Sequence, residues 1–243
     1  MKTIDLDLDG GSAEVALAAR QYWYTLFHGV FGGRPSRELV KAFEDGVQNG
    51  LFDLYSREPG DAFDGMRSYV STLTGDESRL ETRLGAISDE YTKLFIGPGH
   101  LDAPPWESPY VGKEGLLFQE STLKVRYEYA DSGYLPQDYP RVADDHIALM
   151  MDFMAHMAKR TAAAFSDATA DGVAADDATP EDVSDLAAKQ GRFIENHLLN
   201  WVPEYAGKLE EADAGEFYAL AVRCALDFFE QDRDFLELVR RNV

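Results

Sequence analysis

Asp144, Asp145 and His146 stand side by side where a helix is expected to begin, directly after an irregular stretch. Two carboxylates beside an imidazole can accept a guanidinium through paired hydrogen bonds. A plainer role competes. Carboxylates at a helix N-terminus are favoured by the helix dipole, which accounts for Asp144 as a cap but leaves Asp145 and His146 unassigned. A third option is catalytic, with His146 as a base oriented by Asp145.

A second group lies at residues 103–110, APPWESPY. Three prolines fix φ and remove amide donors, which excludes helix and central strand. The stretch is nevertheless too apolar for an ordinary solvated loop. Glu107 is its only charge, and Trp106 is either a plug on the core or an anchor for a ligand.

Other chemistry has little support. The sequence contains no G-x-x-x-x-G-K-[ST], no strand-linked G-x-G-x-x-G, no H-E-x-x-H and no G-x-S-x-G. Of the histidines, His28, His100, His146, His156 and His197, no two stand three to five apart on a helix face, so a local zinc site is not expected. Cys224 is the only cysteine and sits in apolar LAVRCALDFF, which reads as a buried helix position. A disulfide framework or cysteine-held cluster within one chain is excluded.

Net charge narrows the partners. With 44 acids against 23 bases, the chain of 243 residues carries −21. Nucleic acid is an unsuitable partner for such a surface. The charge favours a basic partner, or simply solvates the exterior. No apolar run approaches the roughly 18 residues of a membrane span, so stable membrane insertion is not expected. The start MKTIDLDLDG lacks the basic and apolar regions of a secretory signal, and the expected location is the cytoplasm.

Helical periodicity must position these groups. Ser12, Ser36, Asp61, Asp76, Ser121 and Asp144 are each expected to cap a helix, and Thr179-Pro180 to open another, with Asp182 as its capping partner. Leu80, Leu84, Ile87, Tyr91 and Leu94 make one apolar stripe ending at Gly97-Pro98. Met150, Met151, Met154 and Met157 read as core, with an adaptable binding surface as the alternative. A helix through DLAAKQGRFIENHLLNW is expected to run until Pro203, and a last one covers EFYALAVRCALDFFEQDRDFLELV. No segment alternates with period two, and no repeat is evident. The expectation is one all-α domain, a compact bundle of about nine helices. Its N-terminal helices span 12–95, an irregular central loop 96–114, further helices 115–240, and an acidic linker 166–179.

Several elements in a fixed order carry a resemblance. They are Tyr91, Leu94, Phe95, Gly97 and Pro98; Pro-Pro-Trp-Glu-Ser at 104–108; Phe-Gln-Glu-Ser-Thr at 118–122; Asp145-His146; and HLLNWVPEY with His197 and Trp201. Together they resemble the TorD/DmsD family of molybdoenzyme maturation chaperones, over roughly residues 85–235, the first 80 residues being similar only in being helical. The resemblance implies an all-α, non-enzymatic protein. Its partner would be an apo-molybdoenzyme, whose twin-arginine signal peptide it holds until the cofactor is inserted. The peptide-binding residues implied are Tyr91, Leu94, Phe95, Pro105, Trp106, Asp145 and His146. Weak guanine nucleotide binding, and a monomer or a domain-swapped dimer, are implied on the same ground. Family members often have Glu-Pro before Asp-Asp-His and a glutamate four residues after the histidine; here Val142-Ala143 and Met150 occupy those places. Glu107, Glu120 and Asp144 therefore join Asp145 as acids for the arginines. A client that is not exported, recognised through another segment, and a helical scaffold without leader binding are the alternatives.

Overall fold

The computed structural model describes residues 10–97, 101–113, 115–137, 142–169, 182–212 and 215–242. In chain order its helices are α1 (Gly10–Gly32), α2 (Arg37–Gln48), α3 (Leu51–Tyr55), α4 (Ala62–Thr74), α5 (Glu77–Tyr91), α6 (Ser108–Val111), α7 (Glu120–Asp131), α8 (Ile147–Thr169), α9 (Val183–Phe193), α10 (Val202–Glu211) and α11 (Gly215–Asn242). π-helical turns follow α5 at Thr92–Ile96 and α9 at Ile194–Leu198. Among the described residues there is no strand, only an isolated antiparallel bridge between Trp106 and His146. The all-α expectation holds.

The two 23-residue helices α1 and α8 pack along one another and form the centre. α1 contributes Trp23, Tyr24, Phe27, Val30 and Phe31, all essentially without exposure. α8 contributes Ile147, Met150, Met151, Met154 and Met157, each fully buried. The methionines are therefore core, and the adaptable-surface alternative is overturned. Close approach needs a glycine: a Cβ at Gly32 would stand 3.1 Å from the Ala148 Cβ. α11 packs against α4, α9 and α10 and closes the aromatic core with Phe217, Tyr218, Phe228 and Phe229.

A buried polar network fastens four of these helices. Arg20 of α1 donates through Nε to Asp232 of α11, and through Nη2 to Asp232 Oδ2 at 3.2 Å and to Gln190 Oε1 of α9 at 2.6 Å. The Tyr24 hydroxyl donates to Asp232 Oδ2 at 2.6 Å, and Gln190 Nε2 donates to Thr161 Oγ1 of α8 at 2.7 Å. All these side chains lie in the interior. These bonds offset much of the cost of burying the pair, although Arg20 Nη1 is buried without a partner.

Capping follows the sequence at three of the expected starts. Ser36 accepts from the Leu39 amide at 3.2 Å, Asp61 from Asp64 at 2.9 Å, and Asp76 from Ser78 at 3.1 Å. Elsewhere the expectation needs correcting. Ser12 lies inside α1. Gln119, not Ser121, precedes α7, and its side chain makes no capping bond to the helix. Asp182 is itself the cap of α9, accepting from Ser184 at 2.7 Å and Asp185 at 3.3 Å, whereas Thr179-Pro180 lies outside the described residues. Asp144 caps nothing, because its carboxylate is taken by Arg126.

Three short helices were not expected. α3 is too short to show a hydrophobic period, and α6 corrects the expectation that the prolines exclude helix from 103–110, because Pro109 sits in its first turn, where a missing amide donor costs nothing. α10 appears because Pro203 sits in its first turn, where a missing amide donor costs nothing, rather than ending the helix before it. The expected linker at 166–179 begins late, since α8 continues through Thr169. The remaining linker residues, and Pro98 of the Gly97-Pro98 stop, lie outside the described residues.

Candidate functional site

The Pro-Trp loop and the Asp-Asp-His segment meet. The Ile147 amide donates to the Pro105 carbonyl at 2.9 Å, and the Glu107 amide to the Asp145 carbonyl at 3.0 Å. Proline supplies an acceptor here without needing a donor partner, and the two bonds make the short bridge around Trp106 and His146. The Ser108 amide at the start of α6 adds a third bond, to Asp145 Oδ2 at 2.8 Å.

Each acid of the group has an internal role. Asp144 Oδ2 accepts from Arg126 Nε at 2.8 Å and Nη2 at 2.7 Å, so its guanidinium comes from α7 of the same chain. The Asp144 carbonyl accepts from the Tyr129 hydroxyl at 3.0 Å. Asp145 is fully buried, with Oδ2 bonded and Oδ1 left without a partner. Glu107 is 2% exposed and receives a hydrogen bond from His197 Nδ1 at 3.0 Å. Burial pushes the Glu107 carboxyl above its usual range, and the His197 contact opposes that shift.

His146 closes the group. Its Nδ1 accepts from the Ala148 amide at 3.1 Å, so the imidazole takes the place of a side-chain cap on α8. Burial, with His28 nearby, lowers its pKa to about 4. His28 Nδ1 hydrogen-bonds the Ala148 carbonyl at 2.9 Å. His146 is not paired to Asp145, which removes the arrangement required of an oriented base. The half-buried Trp106 ring stands edge-on to His146, with centroids 5.0 Å apart and an indole N–H that has no partner.

Tyr91, Leu94 and Phe95 lie apart from this cluster. Tyr91 stacks on Phe95 at 4.8 Å, and Phe95 meets Tyr218 at 5.4 Å and Phe31 at 6.5 Å. Tyr91 and Leu94 are buried. A path of ring contacts from Phe95 to the loop runs through Phe31 and Tyr205 to Tyr110.

A cavity of about 760 Å³ opens beside the loop. Glu107 and His197 form one wall; α7 supplies Glu120, Ser121, Lys124 and Glu128. Ser121 is buried and its hydroxyl has no partner. Sequence reasoning placed Glu107 and Glu120 here but missed Glu128, Ser121 and the Glu107–His197 pairing. Among the described residues, no cluster of three or more His, Cys, Asp or Glu side chains could hold a metal ion.

Residues 58–206 match the family model described as nitrate reductase delta subunit, which spans more than half of the chain. The chain belongs to this family. Its relatives include the chaperone protein TorD of Vibrio parahaemolyticus, 24% identical over 222 residues, covering 90% of this chain and 94% of that one. The chaperone protein TorD of Vibrio cholerae is 27% identical over 172 residues, 71% of each chain. That of Photobacterium profundum is 26% identical over 181 residues, 74% of each. The resemblance to the TorD/DmsD family of maturation chaperones is thus substantiated, and it reaches further toward the N-terminus than residue 85. The three relatives all bear the name chaperone.

Within this TorD-type chain the family match takes in the Pro-Trp loop, Asp144–His146, α7 and His197, hence the whole cavity wall. Arg20 and Asp232 fall outside it. Among the described residues, no helix is long and apolar enough to cross a membrane.

Proposed function

We propose that the chain is a cytoplasmic maturation chaperone for a molybdopterin oxidoreductase of the DMSO/TMAO reductase type. It binds the twin-arginine leader of the apo-enzyme and holds it for cofactor insertion before export. The observation that carries this reading is the alignment with a TorD chaperone over nearly the full length of both chains. The meeting of Pro105–Ser108 with Asp145–Ile147 supports it, because two motifs distant in sequence are joined into one rigid wall.

A leader presents two guanidinium groups and then an apolar stretch. Its receptor needs acceptors for the forks and an apolar surface beside them. Glu107, Glu120 and Glu128 line the cavity as acceptors, while Asp145, fully buried and outside the cavity lining, holds the Pro-Trp loop through the Ser108 amide. Trp106, held by His146, is the aromatic anchor of the loop. Asp144 serves the site indirectly, by fixing Arg126 and α7. Tyr91, Leu94 and Phe95 support it from the core.

Co-purification tests the reading. An apo-oxidoreductase carrying its leader is expected to stay with the chaperone, and the leaderless form is expected to be lost. Equal retention of both forms would assign the chaperone to another client segment, as for an enzyme that is not exported.

A further inference from the structure

We infer that the outer face of α7, together with the loop before it, is a preformed docking surface for the apolar stretch of a basic–apolar client segment. This inference rests on the leader-binding reading and assigns the leader's apolar part to a surface distinct from the Tyr91–Phe95 stack.

The sequence around α7 divides into three faces. Val125 and Tyr129 are buried in the core. Glu120, Lys124 and Glu128, one turn apart, line the cavity. Leu123 and Tyr127, also one turn apart, are 44% and 67% exposed. Phe118 precedes the cap residue Gln119 and occupies the position that ordinarily folds back onto the fourth helical residue, here Leu123. It is 73% exposed instead, and Leu116 and Leu117 beside it are exposed too. Exposed apolar groups standing singly need no explanation, but five of them between residues 116 and 127, interspersed with the cavity-lining Gln119, Glu120 and Lys124, mark a contact surface.

The loop is built to hold that group outward. Gln119 clamps it: Oε1 accepts from the Lys113 amide at 2.9 Å, while Nε2 donates to the carbonyls of Lys113 at 2.9 Å and Leu116 at 2.7 Å. Phe118 has φ 58°, the left-handed region that bulky residues avoid. Such a conformation persists where its surroundings enforce it, and the Gln119 clamp is the enforcing contact. A surface ordered in advance loses less entropy on binding.

Charge selects the occupant. Lys124 is paired with Glu120 at 3.1 Å, whereas Glu128 has no ion-pair partner among the described residues. An apolar segment bedded on Phe118, Leu123 and Tyr127 therefore runs along the face that adjoins the cavity side of α7, where Glu120 and, beyond Lys124, the unpaired Glu128 stand, inside an acidic chain of net charge −21. A guanidinium or ammonium group adjoining the apolar run fits that carboxylate.

The test uses a synthetic peptide of two adjacent arginines followed by a leucine-alanine run, titrated calorimetrically into the full chain. The triple variant Phe118→Asn, Leu123→Ser, Tyr127→Ser alters only exposed side chains, and asparagine tolerates a left-handed backbone. It is expected to weaken binding by about tenfold or more. A peptide with the apolar run replaced by serines is expected to lose nothing further. Glu128→Gln is expected to weaken the arginine peptide but not one with alanines in place of the arginines. Undiminished binding by the triple variant overturns the inference and leaves the leader-binding reading standing. Failure of the unaltered chain to bind overturns both. Self-association of the unaltered chain that the triple variant abolishes, at unchanged peptide affinity, also overturns it, since the face then belongs to a second copy.

Discussion

The Ser108 amide donates to Asp145 Oδ2 across 2.8 Å, joining two motifs 37 residues apart in the chain. The bond is buried, so it fixes the start of α6 and the turn before α8 together. Asp145→Ala strands the Ser108 amide, and a loss of about 1–3 kcal/mol in urea-unfolding stability is expected. Asp145→Asn keeps an acceptor and is expected to lose less. A negligible effect of the alanine variant would mean that the loop is held by its backbone bridge alone.

Glu107 is a carboxylate kept above its ordinary pKa by burial. The folded state then holds its proton more tightly than the unfolded state. The stability this contributes is complete below the ordinary value of 4.5 and is lost as pH rises through the raised folded value. Glu107→Gln keeps an acceptor for His197 and removes this slope. Urea titrations at pH 4 to 7 are expected to show it, with stability at neutral pH changed by no more than about 1 kcal/mol.

His146 acts with the opposite sign. Its pKa falls from 6.5 to about 4 on folding, so the unfolded chain binds more protons between those values. Stability is complete above pH 6.5 and is lost as pH falls toward 4. The loss is roughly 2 kcal/mol, after discounting for a ring that is partly exposed. His146→Asn retains a side-chain acceptor for the Ala148 amide and is expected to abolish this component of the acid dependence. An unchanged profile would assign the acid sensitivity to other groups.

The Arg20–Asp232 pair is the most consequential contact remote from the site. Asp232→Ala leaves the Arg20 charge buried and also removes the acceptor of Tyr24. A loss of about 3–5 kcal/mol is expected by urea unfolding. Replacing both partners, as Arg20→Met with Asp232→Leu, is expected to recover much of it.

How far the sequence revealed the fold follows from which forces act locally. The stripe Leu80, Leu84, Ile87, Tyr91 and Leu94 is a single-helix property and is buried as expected. The caps Ser36, Asp61 and Asp76 are equally local. Asp144 shows the limit. Spacing made it a cap, but Arg126, 18 residues earlier, outcompetes the helix end for its carboxylate. The Glu107–His197 pairing spans 90 residues, and no periodicity encodes it. The apolar face of α7 was passed over because Leu123 and Tyr127, spaced one turn apart, look like core until the neighbouring helices are in place. The Pro-Trp loop was legible as special from its composition, while its anchoring by Asp145 and Ile147 needed the fold.

The most direct measurement is a calorimetric and tryptophan-fluorescence titration of the full chain with a twin-arginine leader peptide, beside the same peptide with alanines in place of both arginines. Trp23 and Trp201 are buried, so the emission change reports on Trp106. Saturable binding of the arginine peptide, weakened about tenfold or more by the alanines, is expected. Equal affinity for the two peptides, or no binding of either, would contradict leader recognition by this chain.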